Sequence, residues 1–338
     1  MMIVALCIRG GEMSAIDFSF VIPVYNEEAV IPLLLRRLEL LIASIDGTCE
    51  VIFVDDGSRD SGSLFLANLA RENRRYRYLR LARNFGHQIA ITAGLEASIG
   101  RAVIIMDADL QDPPEVVHQM IAKWREGYEV VYAQRVSRAV ESPFKRITAH
   151  LFYRLMTRLA AIEVPRDVGD FRLVDRAAVD AFLQLPETNR YVRGMFAWIG
   201  FNQAAVPYER DARAAGVSKY PLRKMIGLAA NAIISFSDAP LRLAIWAGAL
   251  VSLGALGYGG YAVARALLWS DGLVDGWAST VVVISLLSGV NMLLTGIVGL
   301  YIGRIHNEVK RRPLYVVSRR VGFEESGALR SVGKRAAR

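Results

Sequence analysis

Several common sequence features are missing from this 338-residue chain, and each absence excludes a class of protein. Its two cysteines, Cys7 and Cys49, do not amount to the disulfide framework of a small secreted domain. No G-x-G-x-x-G segment follows an apolar run and there is no Walker A motif, which excludes the usual dinucleotide and P-loop sites. We find neither an internal repeat nor a low-complexity tract. The length suits one domain of about 200 residues plus a smaller part.

The start of the chain also lacks a recognisable targeting signal. The first twelve residues are too short and too lightly charged to form a signal peptide. Met13 is the more natural start, so residues 1–14 are expected to be an N-terminal extension with no function of their own.

Two long apolar segments are prominent in a sequence that is 53% hydrophobic. Residues 243–264 and 277–302 contain no charged side chain, and each exceeds the ~20 residues that cross ~30 Å of hydrocarbon. A pair of buried core helices is the alternative, but such helices rarely extend this far without a charge. The sequence therefore predicts two transmembrane helices within residues 241–303.

Positive charge is concentrated beside these segments. Residues 304–338 contain ten Lys or Arg and three Glu, so this basic tail carries seven of the eight net positive charges. Because excess Lys and Arg marks cytoplasmic segments, both chain ends and the main domain are expected on the cytoplasmic side of the cell's inner membrane. Nucleic acid binding is the competing explanation, but anionic lipid accounts for basic residues placed next to a membrane.

Two further elements flank the apolar segments. Residues 222–240 carry apolar side chains at helical spacing, with Arg223 and Lys224 on another side, and are predicted to form an amphipathic helix on the membrane surface. An ordinary amphipathic helix of the domain is the alternative. After the second apolar segment, residues 314–317 and 321–323 are predicted to form a small strand pair.

Before residue 222, short apolar runs alternate with helical patterns. The predicted strands are 18–24, 50–54, 76–81, 102–106 and 129–133, and the predicted helices are 29–44, 61–73, 88–99 and 114–126. This alternation, with continuous Val and Ile in the strands, predicts an α/β domain over residues 15–221 with a mainly parallel sheet covered on both faces. Ligands bind beyond the carboxyl ends of such strands, which is where the polar motifs fall.

An acidic motif follows the fourth predicted strand. Asp107 and Asp109 lie two residues apart, so both carboxylates point the same way from extended backbone. Mg²⁺ or Mn²⁺ between them and a diphosphate would remove their mutual repulsion, and Gln111 adds an uncharged oxygen. Asp112 is predicted to cap the following helix, whose first turn holds Pro113, Pro114 and Glu115.

Two more polar clusters follow the first and second predicted strands. Asp55, Asp56, Gly57 and Ser58 form one, in which a carboxylate is suited to accept N–H groups of a pyrimidine or purine base. A plain Asx turn that caps a helix explains the same pattern equally well. The other cluster supplies the ring of Tyr25 for stacking, with Glu27 beside it. Three such clusters at three strand ends predict one crevice.

The motifs resemble a known family. SFVIPVYNEE, VDDGSRD, ARNFGHQIAITAGL and DADLQDPPE together are similar to family 2 glycosyltransferases, whose fold is the Rossmann-like GT-A type. The segments GDFRLVDR, YVRGMFAWIGF, GVSKYPLRK and YIGRIHNEVKRRPLYVV extend the resemblance to the polyprenyl-phosphate glycosyltransferases, a group that includes GtrB-like bactoprenol glucosyltransferases and dolichol-phosphate mannose synthase.

The resemblance implies residue roles. The base and ribose of a nucleotide sugar would be held by Pro23, Tyr25, Glu27 and Asp55. The metal, Mg²⁺ or Mn²⁺, and the diphosphate would be held by Asp107, Asp109 and Gln111. Asp109 and Asp170 would be catalytic, the latter on the acceptor side. The acceptor phosphate would be bound by Arg135, Arg146 (with Lys145 as the alternative), Arg172 and Lys219. The resemblance also implies a homo-oligomer, possibly a tetramer.

The expected reaction moves a hexose from a nucleotide-diphosphate sugar to polyprenyl phosphate. A phosphate monoester has its second pKa near ~6, so it needs positive charge more than a strong base, and Asp170 is expected to orient neighbours such as Arg172. His87 is either a hydrogen-bonded residue at a helix start or a donor contact. Glucose on UDP is the first expectation for the donor; UDP-GlcNAc, UDP-galactose, an aminoarabinose-type donor and GDP-mannose stay open.

Three other functions were weighed. A processive polysaccharide synthase would carry a QxxRW motif and more apolar segments, and this sequence has neither. A non-catalytic membrane scaffold would have no need of the intact Asp107-x-Asp109 pair. A transferase with a soluble acceptor would not explain the basic, membrane-facing residues 219–242.

Overall fold

The computed structural model describes residues 16–136, 168–209, 239–268 and 276–323. Five predictions fall wholly or largely outside these ranges: the N-terminal extension, Lys145 with Arg146, Lys219, the surface helix 222–240, and the end of the basic tail.

Strands and helices alternate through the first domain as the hydrophobic pattern predicts. The strands are β1 (Phe18–Val24), β2 (Cys49–Asp55), β3 (Tyr76–Leu81), β4 (Ala102–Ile105), β5 (Val130–Arg135), β6 (Val168–Asp175), β7 (Gln203–Tyr208) and β8 (Val317–Val321). The helices are α1 (Ile31–Ser44), α2 (Gly62–Glu72), α3 (His87–Ala97), α4 (Val117–Arg125), α5 (Arg176–Leu183), α6 (Val192–Trp198), α7 (Ala239–Leu268) and α8 (Trp277–Val309).

All eight strands form one sheet in the order β7-β5-β6-β4-β1-β2-β3-β8. Strands β1 to β4 are parallel, as predicted, but β6 runs antiparallel between β4 and β5, and β8 runs antiparallel along β3. The sheet is therefore mixed. Because β6 is reversed, its first residues lie at the same edge as the last residues of β4 and β5.

Helices cover both faces of the sheet and bury its Val, Ile and Phe side chains. On one face α1, α2 and α4 pack around Phe20, Ile22 and Phe53. On the other, α3, α5 and α6 pack around Val21, Val54 and neighbouring strand residues. Every residue of β1 is buried, which explains why six of its seven residues are apolar rather than every second one.

The expected helix 114–126 begins differently from the prediction. Pro114–Val116 form a 3-10 turn whose N-cap residue is Pro113, and the α-helix starts only at Val117. Asp112 is thus not the helix cap; it accepts a hydrogen bond from the hydroxyl of Tyr208. Pro113 and Pro114 lack the N–H groups that a capping carboxylate would bind, which explains the difference.

The C-terminal region also differs in one respect from the sequence prediction. The predicted strand pair 314–317 and 321–323 is wrong, because a single strand, β8, pairs with β3 instead. The two apolar segments lie within the long helices α7 and α8. Within the described ranges one segment, Leu286–Val309, is long and apolar enough to cross a membrane, with a mean hydropathy of 1.7, and Ala244–Tyr258 is a shorter apolar stretch.

Gly94 allows α3 to lie directly on the sheet. A Cβ atom at Gly94 would stand 2.2 Å from Cγ1 of Val21 and 3.0 Å from Cγ2 of Val54. We expect Gly94→Ala to lower the free energy of unfolding by about 2 kcal/mol, because a 2.2 Å contact places the overpacking cost at the upper end, about 3 kcal/mol, against a helix-propensity gain of about 1 kcal/mol. Chemical denaturation measures this value.

The control is the double variant Gly94→Ala with Val21→Ala, which removes the clashing methyl group. The combined loss should be smaller than the sum of the single losses, because the two changes share one contact. Additive losses would contradict the close packing.

Candidate active site

The carboxyl ends of β1, β2, β4, β5 and β7 meet the amino end of β6 at one edge of the sheet. The motifs that follow these strands therefore share one crevice, as predicted. Leu110, with φ of +57°, turns the chain sharply after Asp109. The antiparallel register of β4 and β6 pairs Ile105 with Arg172. Two residues beyond this pair, at the crevice, Asp107 therefore lies across from Asp170.

His87 connects the two aspartates. It is the first residue of α3, and its Nε2 lies 3.3 Å from Oδ1 of Asp107 and 3.3 Å from Oδ2 of Asp170. Burial disfavours its protonation, but the hydrogen bond to Asp170 and the charge of Asp107 raise the pKa of His87 above its ordinary value. The imidazole is thus suited to carry a positive charge between two carboxylates.

Asp170 is buried and fully engaged by cationic and amide donors. Its Oδ1 accepts a hydrogen bond from Nε of Arg193 at 2.8 Å, and its Oδ2 accepts from Nη2 of Arg193 and Nε2 of Gln88, both at 3.1 Å. Burial opposes its ionisation, but the bond with His87 and the charge of Arg193 hold the pKa of Asp170 far below its usual range. Asp170 is therefore a fixed negative charge in this arrangement.

Asp107 and Asp109 fit a divalent cation that is shared with a ligand. Within the described ranges no group of three or more His, Cys, Asp or Glu side chains is arranged to hold a metal alone. Oδ1 of Asp107 is buried and accepts no hydrogen bond from the described part of the chain. Burial raises the pKa of Asp107 to about 6; the charge of His87 opposes this effect and neighbouring aspartates add to it. Mg²⁺ commonly takes one or two carboxylates plus substrate phosphates, so the donor set fits.

Gln111, the third predicted ligand, is held close to Asp109. Its backbone N–H donates to Oδ1 of Asp109 at 3.1 Å. Gln111 as a whole is partly exposed.

Arg135 ends β5 at the rim of the crevice. Its Nε donates to the Tyr208 hydroxyl at 3.1 Å, and its Nη2 lies 3.7 Å from Oδ1 of Asp112. Gly169 makes room for this guanidinium, since a Cβ there would stand 3.1 Å from Nη2 of Arg135. Arg135 is partly exposed, so it is available to an anion.

Asp55 and Asp56 shape the loops on the donor side. Asp55 is buried, and it accepts from Ser58 N at 2.7 Å and from the Tyr78 hydroxyl at 2.6 Å. Asp56 accepts from the backbone N–H groups of Phe85 and Gly86 at 2.7 and 2.9 Å. These bonds differ from the Asx turn that the sequence left open: Asp55 accepts from the residue three positions on, the partners of Asp56 are distant in sequence, and α2 begins after Ser61 without a side-chain cap bond.

The remaining predicted residues of the first strand end differ in exposure. Pro23 is buried in β1, Glu27 is partly buried, and the Tyr25 side chain is 44% exposed at the mouth of the crevice. Arg172 is buried: its Nη2 donates to Gly169 O at 3.0 Å and its guanidinium faces the Phe196 ring. Burial lowers the pKa of Arg172 to about 10.

Two residues of the cluster were not singled out from the sequence. Arg193 lies in YVRGMFAWIGF and Gln88 follows His87 in NFGHQ, both within segments already noted for their resemblance. A buried aspartate requires a cationic partner, and that rule would have directed attention to Arg193. Nothing in the sequence indicates that Gln88 connects Asp170 to α6.

Comparisons with known proteins place the chain in a family. The model for glycosyl transferase family 2 matches residues 19–183. The uncharacterized glycosyltransferase YkcC of Bacillus subtilis is 46% identical over 91% of this chain and 95% of its own length. The chain belongs to glycosyl transferase family 2. It is thus a glycosyltransferase with a mixed α/β sheet of the GT-A kind, as the motifs predicted.

Two further comparisons differ in sequence identity to this chain. The SfII prophage-derived bactoprenol glucosyl transferase of Shigella flexneri is 37% identical over 89% of this chain and 97% of its own length. Among solved structures, glucosyl-3-phosphoglycerate synthase from Mycobacterium tuberculosis in complex with uridine diphosphate aligns with a TM-score of 0.43 at 19% identity, over 66% of this chain and 80% of that chain. The second is too distant to inform the site.

Gln88 offers a test of the geometry in this transferase. Its Nε2 donates to Asp170 and its Oε1 accepts from Val192 N at 2.9 Å, so it fixes the aspartate to the start of α6. We expect Gln88→Glu to reduce kcat about tenfold or more, because a second carboxylate would face Asp170 in a buried site. Steady-state kinetics with a sugar donor measure the effect.

The matched control is Gln184→Glu, which makes the same change at an exposed position after α5. It should leave kcat unchanged. Equal kinetics for Gln88→Glu and wild type would show that this contact does not matter to turnover.

Proposed function

We propose that this glycosyltransferase moves a hexose, first of all glucose, from a nucleoside-diphosphate sugar to polyprenyl phosphate at the cytoplasmic face of a membrane. The observation that carries the proposal is that His87 lies between two aspartates with different surroundings, Asp107 and Asp170. Asp107 and Asp109 offer two carboxylates suited to hold a cation together with a diphosphate, while Asp170 is paired with Arg193. Donor and acceptor anions thus have separate places in one crevice.

The donor side would lie over β1 and β2. Tyr25 offers an exposed ring for stacking a base, and Pro23, Glu27 and Asp55 are the other residues proposed to hold the base and ribose. Asp55 already accepts two hydrogen bonds, but a carboxylate has about four acceptor positions, so a base N–H remains compatible. Glucose on UDP is supported by the name of the Shigella flexneri relative, a bactoprenol glucosyl transferase. GDP-mannose, UDP-GlcNAc and an aminoarabinose-type donor are the alternatives.

A bound Mg²⁺ or Mn²⁺ would supply charge that stabilises the leaving diphosphate. Asp107 and Asp109 would hold it, with Gln111 nearby. The buried Oδ1 of Asp107 lies 3.3 Å from His87 Nε2 but accepts no hydrogen bond from the described residues, so it would gain a cationic ligand. Asp109 would thereby act in catalysis through the donor diphosphate.

Transfer itself needs little base catalysis. The acceptor phosphate is largely dianionic at neutral pH, so one of its oxygens can attack the anomeric carbon while the bond to the diphosphate breaks, with inversion. Two anions must still be brought together. Arg135 at the rim supplies positive charge from the described chain, and Arg146, Arg172 and Lys219 are the other proposed phosphate contacts.

The acceptor would reach the crevice from a membrane. The apolar segment Leu286–Val309 supports membrane association, and the second predicted span in α7 makes a hairpin our proposal for the topology, with catalytic domain and both termini cytoplasmic. A homo-oligomer, such as a tetramer, is also proposed from the resemblance of the sequence to its family.

The proposed function is tested by incubating membranes that contain the protein with radiolabelled nucleotide sugars and undecaprenyl phosphate. We expect metal-dependent label in the organic phase, greatest with UDP-glucose. Label with another sugar would keep the reaction class and change the donor. No label with any common donor, from membranes shown to contain the folded protein, would overturn the proposal.

Substitution of Asp170 and substitution of Asp107 should have different effects. Asp170→Asn removes the fixed charge that orders Arg193 and His87, so we expect nucleotide-sugar binding to persist while turnover falls about a hundredfold or more. Calorimetry with Mn²⁺ and the donor measures the first quantity and the radiolabel assay the second. Normal turnover in this variant would exclude a catalytic role for Asp170.

Asp107→Asn should instead abolish the metal dependence of donor binding, because it removes a charged oxygen ligand. The same calorimetry, with and without Mn²⁺, measures this. Asp180→Asn, an exposed aspartate of α5, is the control and should bind as wild type. Undiminished metal-dependent binding by Asp107→Asn would place the cation elsewhere.

A further inference from the structure

Glu308 connects the C-terminal helix to the catalytic domain. It lies in the last turn of α8, and its two carboxylate oxygens accept hydrogen bonds from Thr188 N at 3.0 and 3.1 Å. Oε1 also accepts from the Thr188 hydroxyl at 2.6 Å. Thr188 belongs to the loop between α5 and α6, so one carboxylate of the membrane-associated helix holds a loop that leads into the active site.

The segment that starts at Thr188 ends at the catalytic cluster five residues later. Val192 N donates to Gln88 Oε1 at 2.9 Å, and the next residue, Arg193, binds both oxygens of Asp170. Residues 188–193 are therefore held at one end by Glu308 and at the other by Gln88 and Asp170. Five residues can span no more than about 18 Å, so a shift at Thr188 passes readily to Arg193.

The rest of the loop is held from within the domain. Nη2 of Arg190 donates to Leu185 O at 2.7 Å, and its guanidinium lies 5.3 Å from the Phe182 ring centroid. These contacts are made with α5 and its following turn. The charge of Glu308 also acts on Arg190, so this carboxylate faces the loop at Thr188 and at Arg190.

Other contacts keep the end of α8 near the domain without Glu308. The Tyr315 hydroxyl donates to Glu96 Oε2 at 2.6 Å, Ala82 N donates to Val316 O at 2.8 Å, and β8 pairs with β3. Loss of Glu308 should thus release Thr188 without detaching the helix. Its effect would fall on residues 188–193.

We propose that Glu308 is a positioning residue, which acts through Thr188 to keep Arg193 on Asp170 and so couples the seating of the C-terminal helix to the active site. The inference rests on the proposed function, since it assigns Glu308 a part in that transfer. A carboxylate that accepts an N–H and an O–H makes charge-assisted bonds, which are the stronger kind.

The test uses the full chain in lipid nanodiscs and five variants, one of them a control. Glu308→Ala removes the contact, and Glu308→Gln keeps an acceptor oxygen. Thr188→Val removes the hydroxyl but keeps the amide, and Thr188→Ser keeps both. Asn307→Ala, one residue earlier at an exposed position of the same helix, is the control. Hydrogen exchange of residues 186–193 and steady-state kinetics are measured for each.

For Glu308→Ala we expect faster exchange in residues 186–193, a kcat about ten- to a hundredfold lower, and a donor KM within about twofold of wild type. Glu308→Gln and Thr188→Val should be intermediate, and Thr188→Ser and Asn307→Ala should match wild type.

Two results would overturn the positioning role alone. Wild-type exchange in Glu308→Ala would mean that the contact does not hold the loop, and faster exchange with unchanged kcat would mean that it is only structural. Absence of transfer by the wild-type chain would overturn the proposed function and the positioning role together. The exchange data, which need no activity, distinguish that case from the first.

Discussion

Strand β6 runs antiparallel to both of its neighbours, and the active site depends on that reversal. In an all-parallel sheet the first residues of β6 would lie at the opposite edge from the residues that follow β4. With β6 reversed, Asp170 lies across from Asp107, close enough for one imidazole to contact both. The helices on either face then supply the partners: α3 carries His87 and α6 carries Arg193.

Burial makes this arrangement costly unless each charge is compensated. The carboxylate of Asp170 is compensated within the chain by Arg193 and His87, which keeps its pKa low. The carboxylate of Asp107 is not compensated to the same degree, and its pKa rises to about 6. The difference between two aspartates in one crevice separates their roles: one is a structural charge, and the other is suited to a cation brought with the substrate.

The sequence predicted the parts of the site that depend on strand ends and missed the parts that depend on long-range packing. Continuous apolar runs located β1 to β4, and the carboxyl-end rule placed Asp107 and Asp55 in one crevice. Arg193 was missed because its contact with Asp170 joins residues that only the reversed strand brings together. Asp112 was assigned to a helix cap because local pattern dominates such predictions, whereas its partner Tyr208 is distant in sequence. The first and last residues of helices and strands also depend on local hydrogen bonds, which the hydropathy pattern does not predict.

The central claim is that Asp107 and Asp109 receive the metal while Asp170 stays paired with Arg193. Anomalous diffraction from a crystal grown with Mn²⁺ and a nucleoside-diphosphate sugar tests it most directly. We expect a manganese peak between the carboxylates of Asp107 and Asp109, in contact with the diphosphate, with Arg193 still bound to Asp170. A manganese ion coordinated by Asp170, with Arg193 displaced, would contradict it.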